Sequence, residues 1–140
     1  MRPPNYFEAQ QRRQGERWTQ LEGDPGLAGP WHQLFQQVQS PAHVISELLQ
    51  NAEDAGATRV RVTLDDGVFW FEHDGRDFTE SDFASICGFG LSNKRHLHTI
   101  GFRGMGFKTT FSLGPSVWLA TPTLRVRFDA ERFTLPQWDP

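Results

Sequence analysis

The stretch Glu47-Leu-Leu-Gln-Asn51-Ala-Glu-Asp54-Ala55 decides the fold that we predict for this chain. Glu47, Asn51 and Asp54 are spaced i, i+4 and i+7, so on a helix they share one face. A carboxylate one turn from an amide suits metal-assisted hydrolysis, because the carboxylate can polarise a water and the amide oxygen is a hard ligand for Mg²⁺. A solvated polar stripe on an amphipathic helix explains the same spacing, and this motif alone does not separate the two interpretations.

The flanking residues predict that this stretch is helical. Ser40 can cap the free N–H groups at a helix start, and Pro41 fits the first helical position. Gly56 is a typical helix end. Between these ends, apolar side chains recur at the helical period, at Val44, Ile45, Leu48, Leu49 and Ala52.

A second motif, Glu72-His73-Asp74-Gly75, stands at the end of a predicted strand. Gly75 permits a tight turn or the close approach of the backbone to a ligand. A carboxylate at this place can accept a hydrogen bond from the amino group of a nucleobase. An ordinary turn after a strand has the same composition, because Asp-Gly is common turn chemistry.

A third motif is the glycine-rich segment Gly101-Phe-Arg103-Gly104-Met105-Gly106-Phe107-Lys108. Three glycines beside a predicted helix start allow backbone N–H groups to surround phosphate oxygens. The spacing is not that of a Walker A loop, and the segment does not follow the first strand of a βαβ unit. Upstream, Ser92 and Lys94 can reach phosphates as a hydroxyl donor and a cation. A polar loop without a ligand explains each segment taken singly.

Length, charge and cysteine content exclude several classes of protein. A chain of 140 residues with 37% hydrophobic and 22% charged residues predicts one globular domain. The net charge of −3 gives no broad basic surface, so nucleic acid is not indicated as a partner. The single Cys87 allows no disulfide within the chain and favours a reducing compartment. No signal peptide or membrane span is visible, so we expect a cytoplasmic protein without a membrane partner.

The chain is predicted to divide into an N-terminal arm and loop, residues 1–30, and a domain, residues 31–140. Glu22–Pro30 is rich in Gly and Pro and predicts a loop. A short amphipathic helix is predicted over residues 31–39. Further elements predicted from periodicity and turn residues are a hairpin over 58–73, a helix capped by Thr79, a helix over 107–113 and a hairpin over 116–129.

Taken in order, the motifs resemble those of the GHKL superfamily, which includes gyrase B subunits, heat-shock chaperone ATPases, histidine kinases and MutL. The superfamily patterns are Glu-x-x-x-Asn-x-x-Asp/Glu-Ala, an Asp-x-Gly turn after a strand, and Gly-x-x-Gly-x-Gly. Sacsin-type ATP-binding modules are similar in particular, because the likeness extends through residues 47–52, 73–79, 92–95 and 100–108. The resemblance covers residues 31–128 and leaves the N-terminal arm outside it.

The resemblance implies a Bergerat fold of the α+β class. This is a two-layer α/β sandwich with a mixed or antiparallel sheet and helices on one face, and its ligands are ATP and Mg²⁺. By the same resemblance Glu47 is the general base and Asn51 the Mg²⁺ ligand. Asp54 lies on the sugar or base side, where we expect it to pair with Arg76. Ser92, Lys94 and residues 101–108 form a lid over the phosphates.

Two positions depart from the superfamily pattern. His73 stands where the adenine-binding Asp is usual, and Asp77 replaces the second glycine of the turn. The base contact is therefore expected from His73, from Asp74 or through water, and these alternatives stay open.

The segment after Lys108 is short for this fold. We therefore expect a version truncated at the C-terminus, or part of a larger protein with further domains and a homodimeric state. The expected function is Mg-dependent ATP binding with slow hydrolysis that closes the lid and switches the conformation. The alternatives are a non-catalytic nucleotide sensor and a MutL-like module linked to nucleic acid.

Overall fold

The structure of the protein, a computed structural model, describes residues 1–37, 41–88 and 109–140. Within these ranges the α-helices are α1 (Asn5–Glu22), α2 (Pro25–Gln37), α3 (Pro41–Asp54) and α4 (Glu80–Cys87). Two 3-10 helices span Thr109–Leu113 and Ala130–Arg132. The helix predicted to begin at Pro41 is confirmed, and the helix predicted over 107–113 is seen as the 3-10 helix that begins at Thr109. The proposed cap, Ser40, lies outside the described residues.

The described strands form two antiparallel sheets. One is a hairpin of β1 (Val60–Asp65) and β2 (Val68–His73). The other has β4 (Arg125–Asp129) between β3 (Ser116–Ala120) and β5 (Gln137–Trp138). Both predicted hairpins and the α+β class with antiparallel strands are confirmed. The sequence pattern does not predict β5, because two residues are too few to show an alternation.

The first hairpin closes through a turn that its sequence specifies. Asp66 and Gly67 both have positive φ, 50° and 75°. Two successive residues of positive φ suit the right-handed twist of paired strands, and Asp-Gly adopts this conformation readily. The turn fixes the register, in which Val62 lies opposite Phe71.

The core lies between the three-stranded sheet and the helices on one of its faces. Val126 and Phe128 of β4 are 1% and 0% exposed, whereas Arg125 and Arg127, which alternate with them, are half-buried. Alternation along a strand sends successive side chains to opposite faces, so β4 presents one apolar face. That face packs in a cluster with Phe7, Trp18, Leu21, Phe83, Ile86, Cys87, Phe111, Leu124, Phe133 and Leu135.

The N-terminal residues contribute to this core, and the loop predicted at Glu22–Pro30 is wrong. Helix α2 already begins at Pro25, and the N–H of Gly26 donates to Oδ1 of Asp24 at 3.0 Å. Asp24 thus caps the helix, and proline at the first helical position has no N–H that needs a partner. Packing of Trp31 and Phe35 against the core outweighs the weak helix propensity of the Gly and Pro residues. The division of the chain at residue 30 stays a prediction.

The β1–β2 hairpin is much more exposed than the three-stranded sheet. Leu64 is 77% exposed and Trp70 is 52% exposed, while Phe69 and Phe71 are half-buried. Their register places Val62, Leu64, Phe69 and Phe71 on one face of the hairpin. Sequence alternation therefore predicts the face of each residue correctly but not how deeply that face is buried.

Helix α4 starts as its sequence predicts. The Thr79 side chain accepts a hydrogen bond from the N–H of Asp82, and the Asp82 carboxylate accepts one from the N–H of Thr79. This reciprocal capping box fixes where the chain enters α4. In the described ranges, none of the helices combines the length and apolar character that crossing a bilayer requires.

Candidate functional site

The candidate site is built first on α3. Val44, Ala52 and Ala55 form its buried stripe, and the helix packs against the 3-10 helix that begins at Thr109. At 100° per residue, Glu47 and Asn51 lie directly beside this stripe. Both are half-buried, as is Asp54, so the three predicted site residues share one face at the edge of the core. Ile45 and Leu49 of the predicted apolar stripe are 38% and 44% exposed, because the stripe is wider than the surface that covers it.

The end of α3 carries the second part of the site. Gly56 has φ of 73°, which favours glycine and ends the helix. The N–H of Arg76 donates to the main-chain oxygen of Ala55 at 2.8 Å. A Cβ added at Gly75 would stand 2.8 Å from the Cβ of Ala55 and 2.9 Å from its oxygen, so only glycine permits this approach. The β2–α4 turn, defined here as residues 73–79, therefore packs directly on the end of the helix that bears Glu47 and Asn51.

Arg76 contacts the main chain of Asp54, whereas we expected a pair between the two side chains. Its Nη2 donates to the main-chain oxygen of Asp54 at 2.8 Å. The last carbonyls of a helix lack intrahelical partners and carry a partial negative charge, so they attract a cation. The guanidinium thus fastens the β2–α4 turn to the helix end through its backbone.

Asp74 is held by the residues that lead into β1. Its Oδ1 accepts from the N–H of Thr58 at 2.7 Å and of Arg59 at 3.0 Å, and its Oδ2 accepts from the Thr58 hydroxyl at 2.6 Å. These hydrogen bonds, the one from the Thr58 hydroxyl foremost, lower the pKa of Asp74 to about 2. Both oxygens are therefore engaged in joining the two ends of the hairpin.

His73 is exposed and has one ring nitrogen engaged. Its Nδ1 accepts a hydrogen bond from the N–H of Gly75 at 3.0 Å. A nitrogen that accepts carries no proton, so in the neutral ring the proton lies on Nε2. His73 therefore presents a hydrogen-bond donor to the surface.

Asp77 has a role that the sequence motifs do not indicate. Its Oδ2 accepts from the hydroxyl of Thr123 at 2.7 Å, and its Oδ1 accepts from the N–H of Phe78 at 2.7 Å. Burial raises the pKa of Asp77, but hydrogen bonds from Thr121, Thr123 and Phe78 outweigh that effect, and the net pKa is lowered. Thr58 and Thr123 lie far from their partners in sequence, so no local pattern identifies them.

The remaining predicted site residues lie outside the described residues. They are Ser92, Lys94, Gly101, Arg103, Gly104, Met105, Gly106, Phe107 and Lys108.

The described part of the site combines two kinds of chemistry. Glu47 and Asn51, a carboxylate and an amide one helical turn apart, offer a proton acceptor and a hard oxygen ligand at the border of the core. The β2–α4 turn adds the exposed donor of His73 and the close backbone approach at Gly75. Hydrogen bonds at Arg76 hold these two parts together.

Comparisons with known proteins agree with this arrangement. The family model described as histidine kinase-, DNA gyrase B-, and HSP90-like ATPase matches residues 39–130. The DNA mismatch repair protein MutL of Chlorobium chlorochromatii is 40% identical over 78 residues, covering 48% of this chain and 12% of that protein. The DNA mismatch repair protein MutL of Parabacteroides distasonis is 35% identical over 77 residues, which again cover 48% of this chain and 12% of that protein. The match thus spans a small part of each relative, and no solved structure matches the chain significantly.

The matched range contains α3, both hairpins and the β2–α4 turn, and it is more than half of the chain. The chain therefore belongs to the histidine kinase-, DNA gyrase B- and HSP90-like ATPase family, the GHKL superfamily that its motifs resemble.

Proposed function

We propose that this chain binds ATP with Mg²⁺ on the face of α3 that bears Glu47 and Asn51, and that it hydrolyses the nucleotide slowly. The observation that carries the proposal is the packing of the β2–α4 turn on the end of α3, through Gly75 and Arg76. It brings two of the three family motifs together in the described structure. Membership of the family supports ATP as the ligand.

Glu47 and Asn51 would act at the phosphate end. Glu47 is half-buried beside the core, where its carboxylate can accept a proton from the water that attacks the terminal phosphorus. The amide oxygen of Asn51, one turn further along, fits Mg²⁺, which prefers oxygen ligands and retains several waters or phosphate oxygens. When bound, the ion would neutralise charge on the phosphates. Asp54 would lie toward the sugar or base.

His73 is the better candidate for the base contact among the described residues of the turn. Asp74 uses both carboxylate oxygens on Thr58 and Arg59. His73 offers an Nε2 donor, which suits a ring nitrogen of a purine and not its exocyclic amino group. Base selectivity would then be lower than in a site with a free carboxylate, and a comparison of ATP with GTP affinity measures it.

By resemblance we propose that Ser92, Lys94, Gly101, Arg103, Gly104, Met105, Gly106, Phe107 and Lys108 contact the phosphates as a lid. The likeness to sacsin-type modules, a homodimeric state and further domains are proposals of the same kind. So is a conformational switch driven by lid closure.

The test is a comparison of binding and turnover in three proteins. Wild type should gain thermal stability with Mg-ATP, by about 2.7 kcal/mol when the nucleotide is at 100 times its Kd. Glu47→Ala should retain binding and lose turnover about 10²- to 10⁴-fold, the range for a general base. Glu53→Ala, on an exposed part of the same helix, should change neither property.

Each outcome assigns the function differently. Binding without turnover in wild type would favour a non-catalytic nucleotide sensor over an ATPase. Turnover that persists unchanged in Glu47→Ala would remove Glu47 from the catalytic role. No thermal shift and no calorimetric heat with millimolar Mg-ATP would contradict the whole proposal for this chain.

A second candidate function follows from the two relatives, both named DNA mismatch repair protein MutL. The chain would then be the nucleotide-binding module of a protein that acts on nucleic acid. The net charge of −3 argues mildly against direct contact with DNA. Binding to DNA that weakens as salt rises would support this function, and no binding at low salt would count against it.

A further inference from the structure

Strand β1 presents a free backbone edge. Among the described strands it pairs with β2 alone. All six of its residues are exposed, so the strand is open to solvent along its whole length. The unpaired N–H and C=O groups of an edge strand are a template for pairing with another strand. The edge of β1 is therefore a surface to which a further strand can add.

Every second residue of β1 directs its backbone groups to this edge. A two-residue turn closes the hairpin, so Asp65 and Val68 form a hydrogen-bonded pair, and such pairs alternate along an antiparallel ladder. The N–H of Asp74 donates to the oxygen of Arg59 at 3.4 Å, in agreement with this alternation. The residues whose N–H and C=O groups point away from β2 are Val60, Val62 and Leu64.

A second copy of the chain fits this edge in an antiparallel, two-fold arrangement. In such a pair, residue i of one copy faces residue j of the other, and j faces i. One register places Thr63 opposite Thr63 of the second copy and Val62 opposite Leu64. Both Val62 and Leu64 direct their backbone groups to the free edge, so they can exchange hydrogen bonds across the two-fold axis. The apolar face of the hairpin then continues from one copy into the other.

The same register places Arg61 opposite Asp65 of the second copy, and Asp65 opposite Arg61. These two positions are not hydrogen-bonded in this ladder, so their Cα atoms would be about 4.5 Å apart and their side chains close together. Opposite charges directly across two strands stabilise the pairing, and like charges weaken it. Within the described residues neither side chain forms an ion pair, so both are available to the second copy.

We propose that two copies of this chain pair along β1 and form one four-stranded antiparallel sheet, in the order β2–β1–β1–β2. The charges of Arg61 and Asp65, which complement themselves across the two-fold axis, support a second copy as the occupant of the edge. This interface assigns a surface to the homodimeric state, which the resemblance leaves without one. The pairing requires no nucleotide, so it does not depend on the proposed function.

Sedimentation equilibrium of the full chain without nucleotide tests the proposal. Wild type should pass from monomer to dimer as its concentration rises, with weak affinity because one strand on each side makes a small interface. Arg61→Asp and Asp65→Arg each place two like-charge pairs across the interface, and each should raise the Kd of the dimer roughly tenfold or more. An equimolar mixture of the two variants restores both opposite-charge pairs and should associate with a Kd near that of wild type.

Val62→Pro tests the backbone pairing independently of charge. The N–H of Val62 points away from β2, so proline at this position removes no hydrogen bond of the hairpin and is compatible with an edge strand. It removes a donor from the free edge and should abolish association. Circular dichroism and melting temperatures of each variant show that the fold is retained.

Two matched controls change the net charge by the same amounts at other exposed positions. Arg13→Asp on α1 corresponds to Arg61→Asp, and Glu53→Arg on α3 corresponds to Asp65→Arg. Both should leave the Kd of the dimer unchanged, because neither residue lies on the hairpin. A loss of association in these controls equal to that in the β1 variants would mean that net charge and not the register decides, and would overturn the proposal.

Three further outcomes would overturn it. Wild type that stays monomeric at millimolar concentration leaves the edge to a strand of a different chain. A dimer that withstands Val62→Pro uses another surface. A mixture of Arg61→Asp and Asp65→Arg that associates no better than either variant alone contradicts the register. None of these results bears on Mg-ATP binding, so the proposed function is tested separately.

Discussion

Asp74 shows how neighbours decide the role of a single residue in a motif. From the sequence alone, the carboxylate of Asp74, which follows a predicted strand, is a candidate to accept a hydrogen bond from the amino group of a nucleobase. In the structure it accepts three hydrogen bonds from Thr58 and Arg59 and closes the base of the hairpin. The same chemical group therefore serves the fold, and His73, which keeps an exposed donor, is the residue of this turn that we propose for the base contact.

The stabilisation by Asp74 should depend on pH with a definite sign. Its pKa of about 2 in the folded protein lies below the usual 3.8, so folding favours the charged form. The contribution of Asp74 to the stability of the folded protein is present in full above its pKa in the unfolded chain. It is lost as pH falls from about 4 toward 2. Asp74→Asn should therefore melt below wild type at neutral pH, and the difference in melting temperature should narrow in acid.

Melting curves of wild type and Asp74→Asn from pH 7 to pH 2 check this expectation. Glu53→Gln, an exposed carboxamide replacement on α3, is the matched control and should follow wild type at every pH. A difference in melting temperature between wild type and Asp74→Asn that widens in acid would contradict the expected direction of this pH dependence.

Helix α1 contributes to the core through buried hydrogen bonds. Trp18 Nε1 donates to the Thr134 hydroxyl at 2.7 Å, and that hydroxyl donates to Oε1 of Gln14 at 2.8 Å. Gln14 and Thr134 are 3% and 0% exposed, so this relay is shielded from water. It joins the first helix to the segment that leads into β5.

Thr134→Val should destabilise the protein by about 1–3 kcal/mol, because it leaves buried polar atoms of Trp18 and Gln14 without their partner at nearly unchanged volume. Thr134→Ser retains the hydroxyl and should lose much less. Urea denaturation of both variants measures the two free energies of unfolding. Equal stability of the valine and serine variants would show that the hydroxyl contributes nothing.

At the scale of the whole molecule, the core extends beyond the residues that the family model matches. Phe7, Trp18 and Leu21 are 2%, 1% and 5% exposed and pack with Phe128 and Phe133 of the C-terminal part. Loss of one buried aromatic side chain costs about 3–5 kcal/mol, while a domain is stable by roughly 5–15 kcal/mol. The N-terminal helix is therefore expected to be necessary for folding.

Deletion of residues 1–24 should abolish cooperative unfolding of the remaining chain. Circular dichroism and urea denaturation of residues 25–140 and of the full chain measure this loss. Trp18→Ala, a milder change, should lower the free energy of unfolding by about 3–5 kcal/mol. A truncated chain that unfolds cooperatively near the wild-type midpoint would mean that α1 is dispensable.

The sequence by itself determined the local elements. Glycine, proline and threonine at their ends, with the period of apolar residues between them, predict α3, α4 and both hairpins, because caps and turns depend on residues only a few positions apart. The spacing of Glu47 and Asn51 likewise places them on one face of α3, and the order of the motifs indicates the family.

Only the tertiary structure decided what those elements meet. Helix α2 forms despite its Gly and Pro residues because it packs on the core, and β5 exists because β4 pairs with it. The partners of Asp74, Asp77 and Arg76 come from segments distant in sequence or from backbone carbonyls. Such contacts depend on the packing of whole elements, and no local pattern encodes them.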